Sequence, residues 1–175
     1  MKQVNFLTLA SFVIISSFVF QSCKDDEEDQ PTPTPAEFVA DDNTFKDFMN
    51  WPLEATNQGP DPTLGMAHAG NDSTVTRKVY FKDGQDAQSG KYPTGTVIVK
   101  HSNNPDQSVN EFTAMVKRGN DFAPSGGDWE WFMLAPDGTI ATDGDGNPMR
   151  GADLMGGMCI QCLSQASNKD YVFSK

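Results

Sequence analysis

Basic residues are scarce in this chain of 175 residues. Only 13 lysines and arginines stand against 24 aspartates and glutamates, which gives a formal net charge of −11 at pH 7. The longest basic runs are two pairs, Arg77-Lys78 and Lys117-Arg118. Nothing therefore forms the positive stripe that binding to a phosphate backbone requires, and the composition excludes nucleic acid as a partner.

Histidine is even scarcer, with His68 and His101 as the only two. A lone histidine is more often a hydrogen-bonded residue than a metal ligand, so we predict no metal site. The sequence also lacks a serine–histidine–acid set, a phosphate loop, a zinc-ligand pattern and an internal repeat. DGDGN at 143–147 begins like a calcium loop, but Pro148 and Leu154 replace the glycine and the closing acid, so it predicts a polar turn.

Long hydrophobic runs are absent except at the N-terminus. Phe6 to Phe20 is apolar apart from one threonine and three serines, and it is short for a stable membrane span. The run ends just before Ser22-Cys23, which predicts a lipoprotein signal peptide over residues 1–22 with Cys23 as the lipidated residue. An ordinary secretory peptide with an incidental cysteine is the alternative.

Residues 23–37 read CKDDEEDQPTPTPAE and combine five consecutive acids with alternating proline and threonine. Such a stretch buries no apolar surface, so we predict an extended tether. Acids directly after a lipidated cysteine resemble the surface-export signals of some Gram-negative lipoproteins. We therefore expect a cell-envelope lipoprotein attached through Cys23 to the outer membrane, on its surface or its periplasmic face. Either location is oxidising enough for a disulfide.

Residues 38–175 carry the hydrophobic patterns of one folded domain. Phe45, Phe48 and Met49 have helical spacing and predict a short amphipathic helix over 41–51. Alternating or β-branched stretches predict four strands, at 74–82, 96–101, 109–117 and 129–136, and two brief ones at 139–141 and 171–173. Together they predict an α+β domain, mainly an antiparallel sheet with one or two short helices.

The strand at 129–136 (WEWFMLAP) has two distinct faces. Trp129, Trp131 and Met133 share one face, and Glu130 lies on the other. An acid between aromatic residues on a strand is usually solvent-facing, so this is the simplest interpretation of Glu130.

The other two cysteines form CIQC at 159–162. Attachment of a c-type haem requires C-x-x-C-H because the histidine becomes the axial ligand of the iron, yet the next residue is Leu163. A thioredoxin-type motif should follow a strand and open a helix in a βαβ context, which this sequence lacks. The motif is thus a haem site, an altered haem site or a disulfide.

Several ordered blocks between about residues 51 and 174 resemble the cytochrome P-460 family, together with the related β-sheet cytochromes c′. The blocks are GMAHAGN, VTRKVYF, KYPTGTVIVKH, AMVKRGNDFAPSGGDWEWFML and MCIQCLSQASNKDYVFS. Their order and spacing, with C-x-x-C followed by DYVF, are specific only in combination. The resemblance implies an antiparallel sheet with helices, often in a homodimer, that holds one c-type haem.

The resemblance also implies roles for individual residues. Cys159 and Cys162 match the positions that form thioethers with the haem. Cytochromes P-460 proper also crosslink a lysine to the haem edge, and Lys100 is the best match for that lysine. Arg77 and Glu130 fall in blocks that would face the distal pocket. Family members oxidise hydroxylamine or bind nitric oxide, so these residues are the candidate catalytic set.

Leu163 is the departure from the family, because it occupies the place of the proximal histidine. Leucine has no lone pair for iron, and loss of the histidine impairs covalent attachment. We therefore expect a haem-free binding or structural module with a Cys159–Cys162 disulfide and an apolar pocket for a small hydrophobic ligand. The alternatives are thiol redox activity, or a c-type haem protein whose ligand comes from His68, His101 or Met158.

Overall fold

The computed structural model describes residues 36–59 and 73–173. The predicted signal peptide, Cys23, most of the predicted tether and His68 lie outside the described residues. The strands are β1 (Leu53–Gln58), β2 (Thr76–Phe81), β3 (Val97–Asn103), β4 (Asn110–Lys117), β5 (Trp129–Leu134) and β6 (Arg150–Gly151). One α-helix, α1, follows at Leu154–Leu163, and 3-10 turns lie at Phe48–Asn50, Lys82–Gly84, Pro124–Gly126 and Ser164–Lys169.

The six strands form one sheet in chain order, and each neighbouring pair is antiparallel. This arrangement confirms the predicted α+β class, with a mainly antiparallel sheet and one short α-helix. The four longer stretches predicted as strands correspond to β2, β3, β4 and β5. None of the helices in the described ranges is long and apolar enough to cross a membrane.

Side-chain alternation divides the core between the two faces of the sheet. Tyr80, Val99, Ala114 and Phe132 pair directly across β2 to β5 and lie in one apolar cluster, which the segment 38–51 covers. We call this side the closed face. The other side, which we call the cavity face, carries a second cluster, and α1 and the C-terminal segment 170–173 pack against it. Residues of β5 follow the predicted alternation.

The helix predicted over 41–51 is not formed. The chain turns there instead, and only Phe48–Asn50 is helical, as a 3-10 turn. The Asp41 carboxylate accepts hydrogen bonds from the backbone N–H groups of Asn43 and Thr44, at 2.9 and 3.0 Å, and so competes with a helical ladder. Asp47 then adopts a left-handed conformation, with φ 56°. The helical spacing nevertheless identified the buried residues Phe45 and Phe48.

The two brief predicted strands are also not formed. Residues 139–141 contribute one isolated bridge, between Ile140 and Leu134. Residues 171–173 are irregular because Asp170 and Tyr171 have positive φ, which breaks an extended conformation. The sequence gives no signal for β1, whose residues LEATNQ are mostly polar and exposed. This edge strand is specified by its pairing with β2 instead.

Candidate functional site

A cavity of about 340 Å³ lies between the cavity face of the sheet and α1. Three cross-strand rows form its floor. Arg77, Ser102 and Glu111 make one row, and Val79, Lys100, Thr113 and Met133 make the next. The third row consists of Ile98, Met115 and Trp131. The opposite wall comes from α1 and the C-terminal segment, through Met155, Met158, Cys159, Cys162, Leu163, Tyr171, Val172 and Phe173.

The start of α1 is irregular in a way that its two glycines allow. Met155, Gly156 and Gly157 all have positive φ, between 56° and 80°, a region that glycine enters without steric cost. Regular helix therefore begins near Met158. Cys159 and Cys162 lie one turn apart on it, on the side that faces the sheet. Sequence patterns did not predict this helix, because its hydrophobic residues are mixed with glycines.

Both cysteines are free thiols in this structure, so it does not confirm the predicted disulfide. Burial raises the pKa of Cys159 and of Cys162, and the ammonium of Lys100 opposes that rise in both. Cys162 and Glu111 raise the pKa of Cys159 further. Protonated thiols therefore predominate at neutral pH, which disfavours a reactive thiolate of the redox-enzyme type.

Lys100 and Arg77 both lie on the cavity face. Lys100 is half-buried in the middle of the floor. Arg77 is buried, with 4% of its surface exposed, and its Nη2 donates a hydrogen bond to the carbonyl of Gly59. The cavity thus brings together Lys100, Arg77, Cys159 and Cys162, four of the residues predicted from sequence.

Glu130 is not brought to this cavity. It is buried on the closed face, with 2% exposure, so its interpretation as a solvent-facing residue was wrong. Arg150 binds both of its carboxylate oxygens, at 2.7 and 2.9 Å, and Arg118 Nη1 lies 3.3 Å from Oε2. Arg118 also pairs with Glu37 at 2.7 Å. These contacts join β5 and β6 to the segment before residue 41, which is a structural role.

His101 also lies on the closed face. Its ring stacks on Phe112 with the centroids 4.3 Å apart, and Nε2 lies 2.8 Å from Asn110 Oδ1. Because adjacent strand residues point to opposite faces, Lys100 at the cavity requires His101 to point away from it. Among the described residues, no histidine lines the cavity.

A buried ion pair anchors the C-terminal wall of the cavity. Lys117 Nζ lies 2.8 and 2.7 Å from the two carboxylate oxygens of Asp170, and both residues are buried. The indole N–H of Trp129 donates to the carbonyl of Asp170 at 2.8 Å, and the N–H of Tyr92 donates to its carboxylate at 2.7 Å. Sequence reasoning missed Asp170 because its partners are 41 to 78 residues away.

These residues only partly suit a c-type haem. The two cysteines line the cavity at the spacing that thioether attachment needs. Leu163 lines it as well, and its side chain offers no lone pair where the axial histidine would stand. Within the described ranges, no imidazole on this face replaces it. The donor set therefore does not fit a histidine-ligated haem c.

An antiparallel sheet with a cysteine-bearing helix over one face defines a small α+β domain with a cavity between the two. The family model for Cytochrome P460 matches residues 45–174, so the chain belongs to the cytochrome P460 family. No curated protein and no solved structure matches the chain significantly.

Proposed function

We propose that this protein is a lipid-anchored cell-envelope protein whose cytochrome P460 domain works without haem, as a binding module for a small apolar ligand. The observation that carries the proposal is Leu163, which faces the cavity at the position that follows C-x-x-C. A C-x-x-C motif without the following histidine has lost both the axial ligand and part of the attachment signal. Cys23 would supply the anchor, on the outer membrane.

The cavity supports a ligand that is mainly apolar. Its volume of about 340 Å³ falls at the lower end of the roughly 300–1,000 Å³ typical of ligand pockets. Ile98, Trp131 and Met133 offer apolar surface, and the Lys100 ammonium offers one charge for a polar or anionic end of the ligand. A small molecule of this kind fits the lining better than a wholly polar one.

The cysteine pair takes a structural part in this proposal. The compartment expected for the protein is oxidising, and the two residues are separated by three positions on α1. A disulfide between Cys159 and Cys162 closes a very short loop, so its entropic effect on the unfolded chain is modest. It would mainly fix the cysteine-bearing turn of α1 beside the cavity.

A haem protein with altered axial ligation is the second candidate function. The observation in its favour is that other donors line the same cavity, namely the thioethers of Met133, Met155 and Met158 and the amine of Lys100. In that case the haem would supply redox chemistry of the hydroxylamine or nitric oxide type. The chain's own residues would hold it through Cys159 and Cys162.

Expression of the full chain together with cytochrome c maturation machinery separates the two candidates. The proposal predicts a colourless protein whose intact mass carries no haem increment. If the disulfide has formed, the folded domain is two hydrogens lighter than its reduced form. A Soret band with a haem-sized mass increment would refute the haem-free function and establish the second candidate.

A further inference from the structure

We propose that the sulfur-bearing side of α1 binds a soft monovalent metal ion, copper(I), through the thiolates of Cys159 and Cys162 and the thioethers of Met155 and Met158. This inference rests on the proposed haem-free function, because a cysteine bound to haem has no thiolate left for a metal. It concerns the reduced cysteine pair, which is the form in this structure, so at this wall copper(I) takes the place of the disulfide.

The shared position of the four residues at the cavity carries the inference. Met158, Cys159 and Cys162 lie on the regular part of α1, Met155 lies on the irregular turn before it, and all four line the cavity. The two cysteines are half-buried, whereas Met155 and Met158 are 49% and 60% exposed. Their exposure leaves the two thioether sulfurs accessible from solvent, and methionine is flexible enough to adjust to a ligand. Two thioethers therefore stand at the mouth of the cavity next to two thiols.

The donor set selects the metal. Thiolate and thioether ligands favour copper(I), whereas calcium and magnesium require oxygen ligands. Zinc sites use four ligands, most often from cysteine, histidine and carboxylates. No group of three or more such residues is placed to hold a metal in the part of the chain that the structure describes. A metal here must therefore take the methionines as its further ligands.

The charges also balance at this site. Binding breaks two S–H bonds and forms two S–Cu bonds, and two protons leave to solvent while copper stays in the +1 state. Two thiolates with one copper(I) ion carry a net charge of −1. Lys100, which acts electrostatically on both cysteines across the cavity, supplies the compensating positive charge. A disulfide removes both thiolates, so only the reduced pair binds the metal.

The test is competition for copper(I) between the reduced full chain and a chromogenic copper(I) chelator. We expect one copper(I) per chain. The double variant Cys159→Ser/Cys162→Ser should weaken binding by more than about 100-fold, because it removes two ligands. Loss of a residue that only supports the ligands costs roughly 10–100-fold. The variant Met155→Leu/Met158→Leu, which conserves volume, should weaken it about tenfold. Lys100→Gln removes a charge that supports the ligands but is not itself a ligand, and it should weaken copper(I) binding by about 10–100-fold.

Met49→Leu is the matched control, because Met49 is equally exposed, at 50%, but does not line the cavity. Its affinity for copper(I) should equal that of the parent chain. Unchanged binding in either double variant would overturn the assignment, as would displacement of copper(I) by equimolar zinc(II). A haem-free protein that binds no copper(I) would refute this inference alone. A Soret band in the purified protein would instead refute the proposed function.

Discussion

The two faces of the sheet are filled in different ways. On the closed face, Phe45 packs on Phe132 with ring centroids 5.0 Å apart, and Phe48 packs edge-on against Tyr80 and Phe112 at 5.7 and 5.8 Å. All five of these aromatic residues are buried, with at most 7% of their surface exposed. On the cavity face, α1 and the C-terminal segment leave about 340 Å³ unfilled.

This difference in packing determines which face of the sheet can take a ligand. Protein interiors are close-packed, and a void forfeits the contacts of the atoms that line it. The closed face makes these contacts, with aromatic pairs that each add about 0.5–1.5 kcal/mol beyond the area they bury. The cavity face lacks part of these packing contacts, and Lys100 on it is only half-buried. The closed face is therefore packed throughout, whereas the cavity face combines a packed cluster with space for a ligand.

The largest expected effect comes from a truncation on the closed face. Phe45→Ala should lower the free energy of unfolding by about 3–5 kcal/mol, because it opens a cavity at a residue with no exposed surface. Met158→Ala, at a residue that lines the cavity and is 60% exposed, is the comparison, and it should change that free energy by less than about 0.5 kcal/mol. Urea denaturation measures both. Equal losses from the two variants would contradict the division between the faces.

A somewhat smaller loss is expected where the cavity wall is anchored. Asp170→Asn should lower the free energy of unfolding by about 3 kcal/mol, because it leaves the buried Lys117 ammonium without its counter-charge. Asparagine tolerates the left-handed conformation of residue 170, so the backbone itself is not strained. The exposed substitution Asp145→Asn is the control. A loss below about 1 kcal/mol would show that this pair does not hold the wall.

The smallest effects concern the thiols on the cavity face. Burial raises their pKa, so alkylation of the reduced chain should be slow at pH 7 and should accelerate only above the pH at which an ordinary thiol ionises. Lys100→Gln removes a charge that favours both thiolates and should slow alkylation at both cysteines. Glu111→Gln should accelerate it at Cys159, because Glu111 raises the pKa of that residue.

Peptide mass spectrometry resolves the two sites. Cys162 should respond to Lys100→Gln but not to Glu111→Gln, because Glu111 does not contribute to its raised pKa. Faster alkylation in Lys100→Gln, or an equal response of both cysteines to Glu111→Gln, would show that these two charges do not act on the thiols in this way.

Much of the sheet could be predicted from the sequence because strand alternation is a local signal. The alternation of WEWFML assigned Trp131 and Phe132 to opposite faces, as the structure shows. The segment 41–51 could not be predicted correctly, because a single Asp41 carboxylate redirects the backbone. Nor could β1, since its polar residues are held by pairing with β2 and not by burial of their own.

The candidate site was predicted in part, through the family resemblance. Lys100, Arg77 and the cysteines lie together because the resemblance spans the strands and the helix that meet there. Glu130 was misplaced because the partners that make its burial possible, Arg118 and Arg150, are 12 and 20 residues away. The position of His101 needs no such distant partner. It follows Lys100 directly on one strand, so strand alternation alone predicts that the two side chains point to opposite faces.

The central claim is that Leu163 separates this member of the family from a haem-binding one. Its most direct test compares the parent chain with Leu163→His, each expressed with cytochrome c maturation machinery, by visible spectrum and intact mass. Leu163→Gln is the control for a polar side chain that does not complete the motif. The account predicts a haem-sized mass increment and a Soret band only in Leu163→His. Haem in the parent chain would contradict it.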